Sequence, residues 1–444
     1  MITEADACAA FSGDDSPAVG RTPDVVIVVE AREDVGRVLR IASEHEIPVT
    51  PRAAGTSRTG GAVCVAGGIV LSMTKLARIV EIDRHEMLAV VEPGLITGAL
   101  HDAAEREGLF YPPDPSSSAD CTIGGNAAAN AGGPRAFKYG VTTDFVLGAE
   151  AVLMSGASLR TGRRTRKGVT GYDVTRLLVG SEGTLAVFTE LTLRLIAKPR
   201  SVATLLALFD DVRAAADAVA AIVASGSQPR CLELLDRATL DAVRADGVAI
   251  DPRAGAMLLV EADGDDADGQ VERIGEALAG APGLVVLQVA QDAAQRDRLW
   301  AARKKMSRAT RKLAKYKLSE DVVVPRTKIT ELLARAGEVA DREKVRHLAY
   351  GHAGDGNLHV NFLWDDPDEA PRVDRAIDGL MRATIGLGGT ISGEHGIGLA
   401  KVPYLPLEQG PELIGLQQNL KAVFDPKGLL NPGKIFPSRG HGGC

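Results

Sequence analysis

The pattern of apolar and polar positions predicts strands and amphipathic helices in mixed order along the first half of the chain. Residues 25–29 are a continuous β-branched run, which predicts a buried strand. Val35, Val38, Leu39 and Ala42 then follow the spacing i, i+3, i+4, i+7 of an amphipathic helix. The same criteria predict further strands at 69–72, 79–82, 88–91 and 185–196, and a helix at 97–106.

The second half also alternates between the two periodicities. Residues 213–225 are an Ala-rich helix and 271–278 a second helix, while 257–264 and 283–290 are apolar strands. This order predicts an α+β fold whose second sheet is covered by helices on one face. The segment KPRS, at 198–201, is the expected boundary between the two halves.

Composition excludes several classes of protein. The 444 residues are 45% hydrophobic and 25% charged, which is the balance of a globular chain rather than a disordered one. No apolar stretch is long enough to span a bilayer. The chain has 51 Lys and Arg against 58 Asp and Glu, so the overall basic footprint of a nucleic-acid-binding protein is absent.

Cysteine usage and the first residues bear on location. The five cysteines contain no CxxC pair, and their odd number indicates a reduced, intracellular chain; they are Cys8, Cys64, Cys121, Cys231 and Cys444. The N-terminus shows neither a signal peptide nor a transit peptide. We therefore expect a cytoplasmic protein, with peripheral attachment to a membrane as the alternative.

Two glycine-rich clusters, at 51–61 and 123–133, are candidates for phosphate binding. Glycine leaves main-chain N–H groups free to face phosphate oxygens. Neither cluster is a GxGxxG that opens a helix after a strand, and GxxxxGK[ST] does not occur. The longer segment 116–133 is either a low-complexity linker or a tight loop against a ligand.

Two motifs carry metal-ligand chemistry. GHAGDGNLHVNF contains His352 and His359, with Asn361 two residues beyond, and SGEHGIG contains Glu394 and His395. Two imidazoles and a carboxylate suit Zn²⁺, Mn²⁺ or Fe²⁺ in a catalytic site. From these residues alone, a metal-dependent hydrolase and histidines that only satisfy loop hydrogen bonds both stay open.

Arg303 is a candidate ligand for a substrate carboxylate. It follows Trp300 by one turn on a predicted helix, and arginine binds carboxylates in a bidentate manner. The alternative is a solvated basic face, because Lys304, Lys305 and Arg308 lie in the same stretch.

Six ordered segments together resemble one family. The chain is similar to the flavin-dependent D-2-hydroxyacid dehydrogenases of the vanillyl-alcohol oxidase / p-cresol methylhydroxylase superfamily, from about residue 20 to 437. That group includes D-lactate dehydrogenase, the glycolate oxidase catalytic subunit and D-2-hydroxyglutarate dehydrogenase. The segments are PRAAGTSRTGG, YPPDPSSSADCTIGGNAAANAGG, LLVGSEGTLAVFTELTLRL, GHAGDGNLHVNF, SGEHGIG and FDPKGLLNPGKIF.

The resemblance implies an α+β architecture in three parts. A two-subdomain FAD-binding region of the p-cresol methylhydroxylase type covers 20–199. An α+β substrate (cap) domain with the metal site covers 200–420. The segment 421–444 returns to the FAD-binding domain.

The resemblance also implies which residues bind FAD. The pyrophosphate would be held by Arg52, Ala53, Ala54, Gly55, Thr56, Ser57, Gly60 and Gly61. The flavin would be lined by Pro115, Ser117, Thr122, Gly124, Gly125, Asn126, Asn130, Glu182, Gly183 and Asn431, with Glu92-Pro93-Gly94 as a further cofactor-side turn.

By the same resemblance, the remaining motifs bind and oxidise the substrate. His352, His359 and Glu394 would hold Zn²⁺ or Mn²⁺, with Asn361 as an additional contact. His395 would be the base, and Arg303 would bind the substrate carboxylate. Such motifs would be unnecessary in a non-catalytic flavin subunit that only passes electrons.

The residues before Pro325 bear on which 2-hydroxyacid is oxidised. In the D-2-hydroxyglutarate branch we expect a lysine six positions earlier, where this chain has Ser319, although Lys317 is close. We therefore expect D-lactate, with glycolate and D-2-hydroxyglutarate as alternatives. The electron acceptor is open between a quinone, a cytochrome and an electron-transfer flavoprotein, and a homodimer is compatible with the sequence.

Overall fold

The computed structural model describes residues 1–437 and divides into two compact units. Unit 1 comprises Met1–Gly133, Gly140–Lys198 and the chain from Glu394 onward, and unit 2 comprises Pro134–Tyr139 and Pro199–Gly393. The division differs from the predicted domains at two places, because 394–420 groups with unit 1 and 134–139 with unit 2. Of the predicted C-terminal segment, 438–444 lie outside the described residues.

Strands and helices alternate throughout the described chain. The strands are β1 (Val25–Val28), β2 (Val49–Arg52), β3 (Ile69–Ser72), β4 (Ile79–Asp83), β5 (Leu88–Val91), β6 (Leu109–Phe110), β7 (Val146–Val152), β8 (Ser158–Gly162), β9 (Val187–Arg194), β10 (Ile196–Ala197), β11 (Ser201–Phe209), β12 (Cys231–Asp236), β13 (Ala256–Gly264), β14 (Leu284–Val289), β15 (Tyr316–Val323), β16 (Arg346–His352) and β17 (Asn357–Trp364).

The helices are α1 (Ala5–Ala9), α2 (Arg32–Glu44), α3 (Thr97–Arg106), α4 (Ile123–Ala129), α5 (Ala136–Tyr139), α6 (Val174–Leu178), α7 (Val212–Ala224), α8 (Arg237–Ala245), α9 (Ala267–Leu278), α10 (Ala293–Leu299), α11 (Ala301–Arg311), α12 (Ile329–Glu343), α13 (Ala370–Gly386), α14 (Leu405–Glu408) and α15 (Pro411–Phe424). Short 3₁₀ turns lie at Thr142–Asp144, Arg326–Lys328, Pro367–Glu369 and Val402–Tyr404. Across residues 1–437, every helix is too short or too polar to cross a membrane.

Unit 1 contains a small parallel sheet and a larger antiparallel one. The parallel sheet has the order β1-β3-β2, and the antiparallel sheet has the order β4-β5-β9-β7-β8. The predicted helix α2 is confirmed, and its positions Val35, Leu39 and Ala42 are fully buried in the core beside the parallel sheet. The strands expected at 69–72, 79–82 and 88–91 and the helix at 97–106 are also confirmed.

The segment 116–133 contains a helix, whereas the sequence analysis predicted either a linker or a tight loop. The side chain of Thr122 caps α4 by accepting a hydrogen bond from Gly125 N, and Asn130 ends the helix in the left-handed conformation at φ 52°. Between these caps the run of alanines favours helix. The small residues are therefore the body of a capped helix rather than a linker.

Unit 2 is built on a seven-stranded antiparallel sheet with the order β14-β11-β13-β12-β16-β17-β15. Helices cover both faces, so the predicted covering of one face is wrong. Leu206 packs with Leu240 of α8 and Met306 of α11, whereas a Cβ on Gly275 of α9 would lie 3.7 Å from Leu205. Adjacent strand residues face opposite sides, which is why the central strands are apolar throughout rather than alternating.

Candidate functional site

The glycine-rich loop between β2 and β3 in unit 1 leaves main-chain donors available. Gly55 and Gly60 have φ angles of 78° and 83°, and the Arg52 side chain folds back to donate to Gly13 O at 2.6 Å. Ser57 Oγ accepts from Gly61 N at 2.9 Å. The hydrogen bonds within the described chain use none of the main-chain N–H groups of 53–57. Consecutive unused donors of this kind suit an anion.

The second glycine cluster lies beside the first. A Cβ on Gly125 would be 3.8 Å from the Cβ of Ala53, so two segments far apart in sequence converge. The N-terminal N–H groups of α4 are already used, since Gly124 N donates to Pro93 O at 2.8 Å and Gly125 N to Thr122 Oγ1 at 3.2 Å. The free donors for a pyrophosphate are therefore those of 53–57.

Several predicted flavin-lining residues bond to neighbouring segments of unit 1. The Asn126 side chain donates to Thr97 Oγ1 at 2.7 Å, and Asn130 Oδ1 accepts from Thr143 N at 2.9 Å. The carbonyls of Pro115 and Ser117 accept from the next turn of backbone. These bonds fix the loops, and the contacts of these residues with a flavin stay predictions.

Glu182 joins the SGEHGIG segment to these loops. Its carboxylate accepts hydrogen bonds from Ile397 N and Gly398 N, each at 2.7 Å, and partial burial raises the pKa of this carboxyl. The carbonyl of His395 accepts from Thr59 Oγ1 at 3.0 Å. A Cβ on Gly132 would lie 3.0 Å from the carboxylate of Glu394. His395 and Glu394 thus lie in the unit that holds the candidate cofactor loops.

Asn431 offers a buried hydrogen-bond acceptor beside Gly61 and Glu182. Its Nδ2 donates to Gly61 O at 3.0 Å and to Glu182 O at 2.7 Å, while Oδ1 is buried without a hydrogen-bond partner among residues 1–437. A Cβ on Gly183 would be 3.8 Å from the Asn431 amide nitrogen. Unused donors on one loop and an unused acceptor on another fit FAD, whose pyrophosphate accepts hydrogen bonds and whose flavin ring donates one.

The two glycines of α4 should respond differently to alanine. In Gly124→Ala the new Cβ would lie 2.8 Å from Pro93 O, so we expect a loss of about 1–3 kcal/mol of unfolding free energy. In Gly125→Ala the nearest atom is 3.4 Å away, and we expect unchanged stability but FAD affinity lower by about tenfold. Denaturant unfolding of apoprotein and FAD titration check both. Wild-type FAD affinity in Gly125→Ala would remove Gly125 from the cofactor-lining set.

Lys434 gives unit 1 a pH dependence above neutrality. Burial lowers the pKa of its ammonium to about 8, and its Nζ donates to Val63 O at 2.7 Å. The folded protein then binds fewer protons than the unfolded chain between pH 8 and the ordinary value of 10.5, so stability rises with pH in that window. Between about pH 7 and about pH 9.5, the unfolding free energy of wild-type apoprotein should therefore rise by about 2 kcal/mol relative to that of Lys434→Met, as measured by denaturant unfolding. A constant difference would contradict this.

Four adjacent strands of unit 2 carry a polar patch on one face of the sheet. His359 of β17 pairs directly with Tyr350 of β16 and Asp321 of β15, and His352 pairs with Glu233 of β12. Directly paired residues in antiparallel strands share a face. The predicted residues His352, His359 and Asn361 therefore lie together, with Glu233 and Asp321 beside them.

Glu233 is one residue of this patch that sequence reasoning missed. Its fully buried carboxylate accepts from Arg303 Nε and from His352 Nδ1, each at 2.5 Å. Burial opposes ionisation, but the guanidinium of Arg303 and the hydrogen bonds from Arg303 and His352 outweigh it and hold the pKa of Glu233 below its usual range. The only local signal is an acid flanked by leucines inside the strand CLELLD, and that signal does not name its partners.

His352 and His359 fit metal ligands. Their ring centroids are 5.5 Å apart and the rings are perpendicular. A carboxylate on Nδ1 fixes the tautomer of a neutral His352 so that Nε2 would be the ligand atom, and such a carboxylate is the usual support of a metal-bound histidine. The predicted third ligand, Glu394, belongs to unit 1, so the complete set stays a prediction.

Asn361, Lys317 and Asp321 complete the patch. Lys317 Nζ donates to Thr310 Oγ1 at 2.7 Å and to Tyr350 OH at 3.3 Å, and the Tyr350 hydroxyl donates to Asn361 Oδ1 at 3.3 Å. Asp321, which sequence analysis did not single out, accepts from Asn357 Nδ2 at 2.7 Å and from Gly393 N at 2.9 Å. Asp321 thereby fixes the last residue of unit 2 before Glu394.

Comparison with known proteins identifies the family. A family model described as "FAD binding domain" matches 23–162, and one described as "FAD linked oxidases, C-terminal domain" matches 198–435. The chain is 42% identical to the glycolate oxidase subunit GlcD of Bacillus subtilis, covering 96% of this chain and 92% of that protein. It is 35% identical to a D-lactate dehydrogenase of Anaerostipes hadrus, with the same coverage of both chains.

A solved structure shows the fold independently. Substrate-bound p-cresol methylhydroxylase matches with a TM-score of 0.79 at 18% identity, covering 98% of this chain and 94% of that one. The predicted α+β fold with an FAD-binding domain of this type is confirmed. The chain is an FAD-linked oxidoreductase and belongs to the FAD-linked oxidases.

Proposed function

We propose that this protein is an FAD-dependent dehydrogenase that oxidises a D-2-hydroxyacid to the 2-oxoacid, with D-lactate as the first candidate. The observation that carries the proposal is the polar patch of unit 2, where Glu233 holds the guanidinium of Arg303 beside two buried histidines. Relatives named as a D-lactate dehydrogenase and as glycolate oxidase subunits support the substrate class.

Each reacting group of a 2-hydroxyacid has a proposed partner in this chain. Arg303 binds the carboxylate, for which its planar guanidinium is suited. His395 removes the hydroxyl proton, since an imidazole accepts a proton near neutral pH. FAD, when bound, accepts the Cα hydrogen as hydride, so the C–OH carbon becomes a carbonyl.

We also propose a divalent metal, Zn²⁺ or Mn²⁺, on His352, His359 and Glu394. An ion held by these residues would lower the pKa of the substrate hydroxyl. Metal analysis of protein purified without chelator, compared with His359→Ala, tests the assignment. Equal metal content in both would remove His359 from it.

D-2-Hydroxyglutarate is a second candidate because of Lys317. Lys317 and Ser319 lie two residues apart on β15 and so share a face of the sheet, and the Lys317 ammonium reaches Tyr350 within the patch. A cation there could pair with a second carboxylate. The ratio of kcat/KM for D-2-hydroxyglutarate to that for D-lactate, in wild type and in Lys317→Met, decides between the two substrates.

The decisive experiment follows the visible spectrum of the purified protein anaerobically. We expect a yellow protein that bleaches with D-lactate and not with L-lactate. Bleaching only with glycolate or D-2-hydroxyglutarate would keep the reaction and replace the substrate. A yellow protein that bleaches with none of the three would contradict the proposed function. The metal-dependent hydrolase considered from sequence would be colourless, and membership of the FAD-linked oxidases argues against it.

A further inference from the structure

Two polar contacts one turn apart attach the N-terminal turn of the helix that carries Arg303 to the sheet, and Lys317 of β15 donates to Thr310 near its other end. Trp300 lies at the junction of α10 and α11, and its indole N–H donates to Glu261 Oε2 at 2.9 Å. Arg303, three residues later, donates to Glu233. Glu261 pairs across strands with Cys231, which lies two residues before Glu233, so both carboxylates lie on the sheet face that α11 covers.

Glu261 is itself held in place. It is 4% exposed, and it accepts from Arg230 Nε at 2.7 Å and from Thr204 Oγ1 at 3.0 Å. Arg230 in turn pairs with the fully buried Asp263. A buried carboxylate with its oxygens bonded to donors from three elements is a fixed point in the structure.

The apolar contacts of α11 do little to fix its position. The residues that it buries are mostly small, and they are Ala302, Met306, Ala309 and Thr310. Small side chains offer few ridges that interlock with a sheet, so sliding or rotation of the helix by a fraction of a turn would cost little packing energy. A directional hydrogen bond from Trp300, the residue immediately before the helix, sets both the position and the rotation of α11.

We infer that Trp300 and Glu261 are positioning residues that hold Arg303 where it can bind the substrate carboxylate. This inference rests on the proposed function, in which Arg303 binds that carboxylate. Glu233 orients the guanidinium locally, whereas the Trp300–Glu261 hydrogen bond places the helix from which the guanidinium extends. Substrate binding therefore depends on an indole N–H that does not touch the substrate.

The test is Trp300→Phe, which keeps an aromatic ring and removes the N–H, with Trp364→Phe as the matched control. Trp364 is the other tryptophan and stacks on Tyr316, with ring centroids 5.5 Å apart. We expect KM for the oxidised 2-hydroxyacid to rise about tenfold in Trp300→Phe with kcat within about twofold. Trp364→Phe should leave both constants unchanged. An unchanged KM in Trp300→Phe would overturn the inference.

A double-mutant comparison tests whether Trp300 affects substrate binding through Arg303 or through a general loss of packing around α11. In an Arg303→Lys background, where the bidentate contact is already lost, Trp300→Phe should raise KM no further. A further tenfold rise there would show that Trp300 acts through something other than Arg303 and would overturn the inference.

Amide hydrogen exchange provides a readout that needs no turnover. The amides of 301–311 should exchange faster in Trp300→Phe than in wild type and in Trp364→Phe. Unchanged exchange would overturn the inference even if the protein oxidises 2-hydroxyacids normally. A wild type that oxidises none of them would instead defeat the proposed function, and with it the aiming of Arg303, while the exchange data would still report the anchoring of α11.

Discussion

Replacing His395 with alanine should slow flavin reduction by the D-2-hydroxyacid substrate by about 10²–10⁴-fold while FAD stays bound. That range is what a positioned general base contributes to proton transfer. Without the imidazole, the hydroxyl proton has no acceptor of suitable pKa, and departure of the Cα hydride would leave a protonated carbonyl. Stopped-flow measurement of the loss of flavin absorbance under anaerobic conditions gives the rate.

The structure explains why His395→Ala should retain FAD. The SGEHGIG segment is held through its backbone, since Thr59 donates to the carbonyl of His395 and Glu182 accepts from Ile397 N and Gly398 N. Removing the imidazole leaves all three bonds in place. His347→Ala, on β16, is the control, and it should reduce flavin at the wild-type rate. Near-normal reduction in His395→Ala would remove His395 from its role.

Local pattern was sufficient for much of the fold. Helix α2 and helix α3 follow from the spacing of apolar residues, because both bury one stripe against a neighbouring sheet. Helix α4 was missed because its signals are a cap at Thr122 and a left-handed stop at Asn130, around residues too small to show periodicity. The covering of both faces in unit 2 was missed because the prediction rested on the order of strands and helices, whereas the continuous apolar runs of β11 and β13 indicate burial on both faces.

The candidate site shows a different limit of sequence reasoning. His352, His359 and Arg303 could be singled out because their residue types are typical of binding chemistry. Glu233 could not, because its role depends on Arg303 and His352, which lie 70 and 119 positions away along the chain. The convergence of Ala53 with Gly125 is likewise a property of tertiary packing and leaves no local trace.

Glu233→Gln should be the most damaging single change in unit 2. The amide carries no charge, so the buried ion pair of Glu233 with Arg303 is lost, and we expect a loss of about 3 kcal/mol or more of unfolding free energy. The same change weakens the support of His352 and the orientation of Arg303. Loss of such support for a metal-bound histidine typically costs about 10–100-fold in activity. We therefore expect kcat/KM to fall about 10²-fold or more. KM should rise clearly, because Arg303, the proposed ligand of the substrate carboxylate, is no longer held in place.

Asp246→Asn separates this effect from general loss of charge pairing near α11. Asp246 also binds two cations of this segment, Arg308 and Lys312, but both are mostly exposed. The Asp246 side chain is itself mostly buried, but solvent screens ion pairs whose cations are exposed, so we expect a smaller loss of unfolding free energy than in Glu233→Gln and unchanged kinetics. Denaturant unfolding and steady-state kinetics of both variants provide the comparison. If Glu233→Gln altered stability and KM no more than Asp246→Asn, then Glu233 would be an ordinary core residue, and Arg303 would be oriented by other groups.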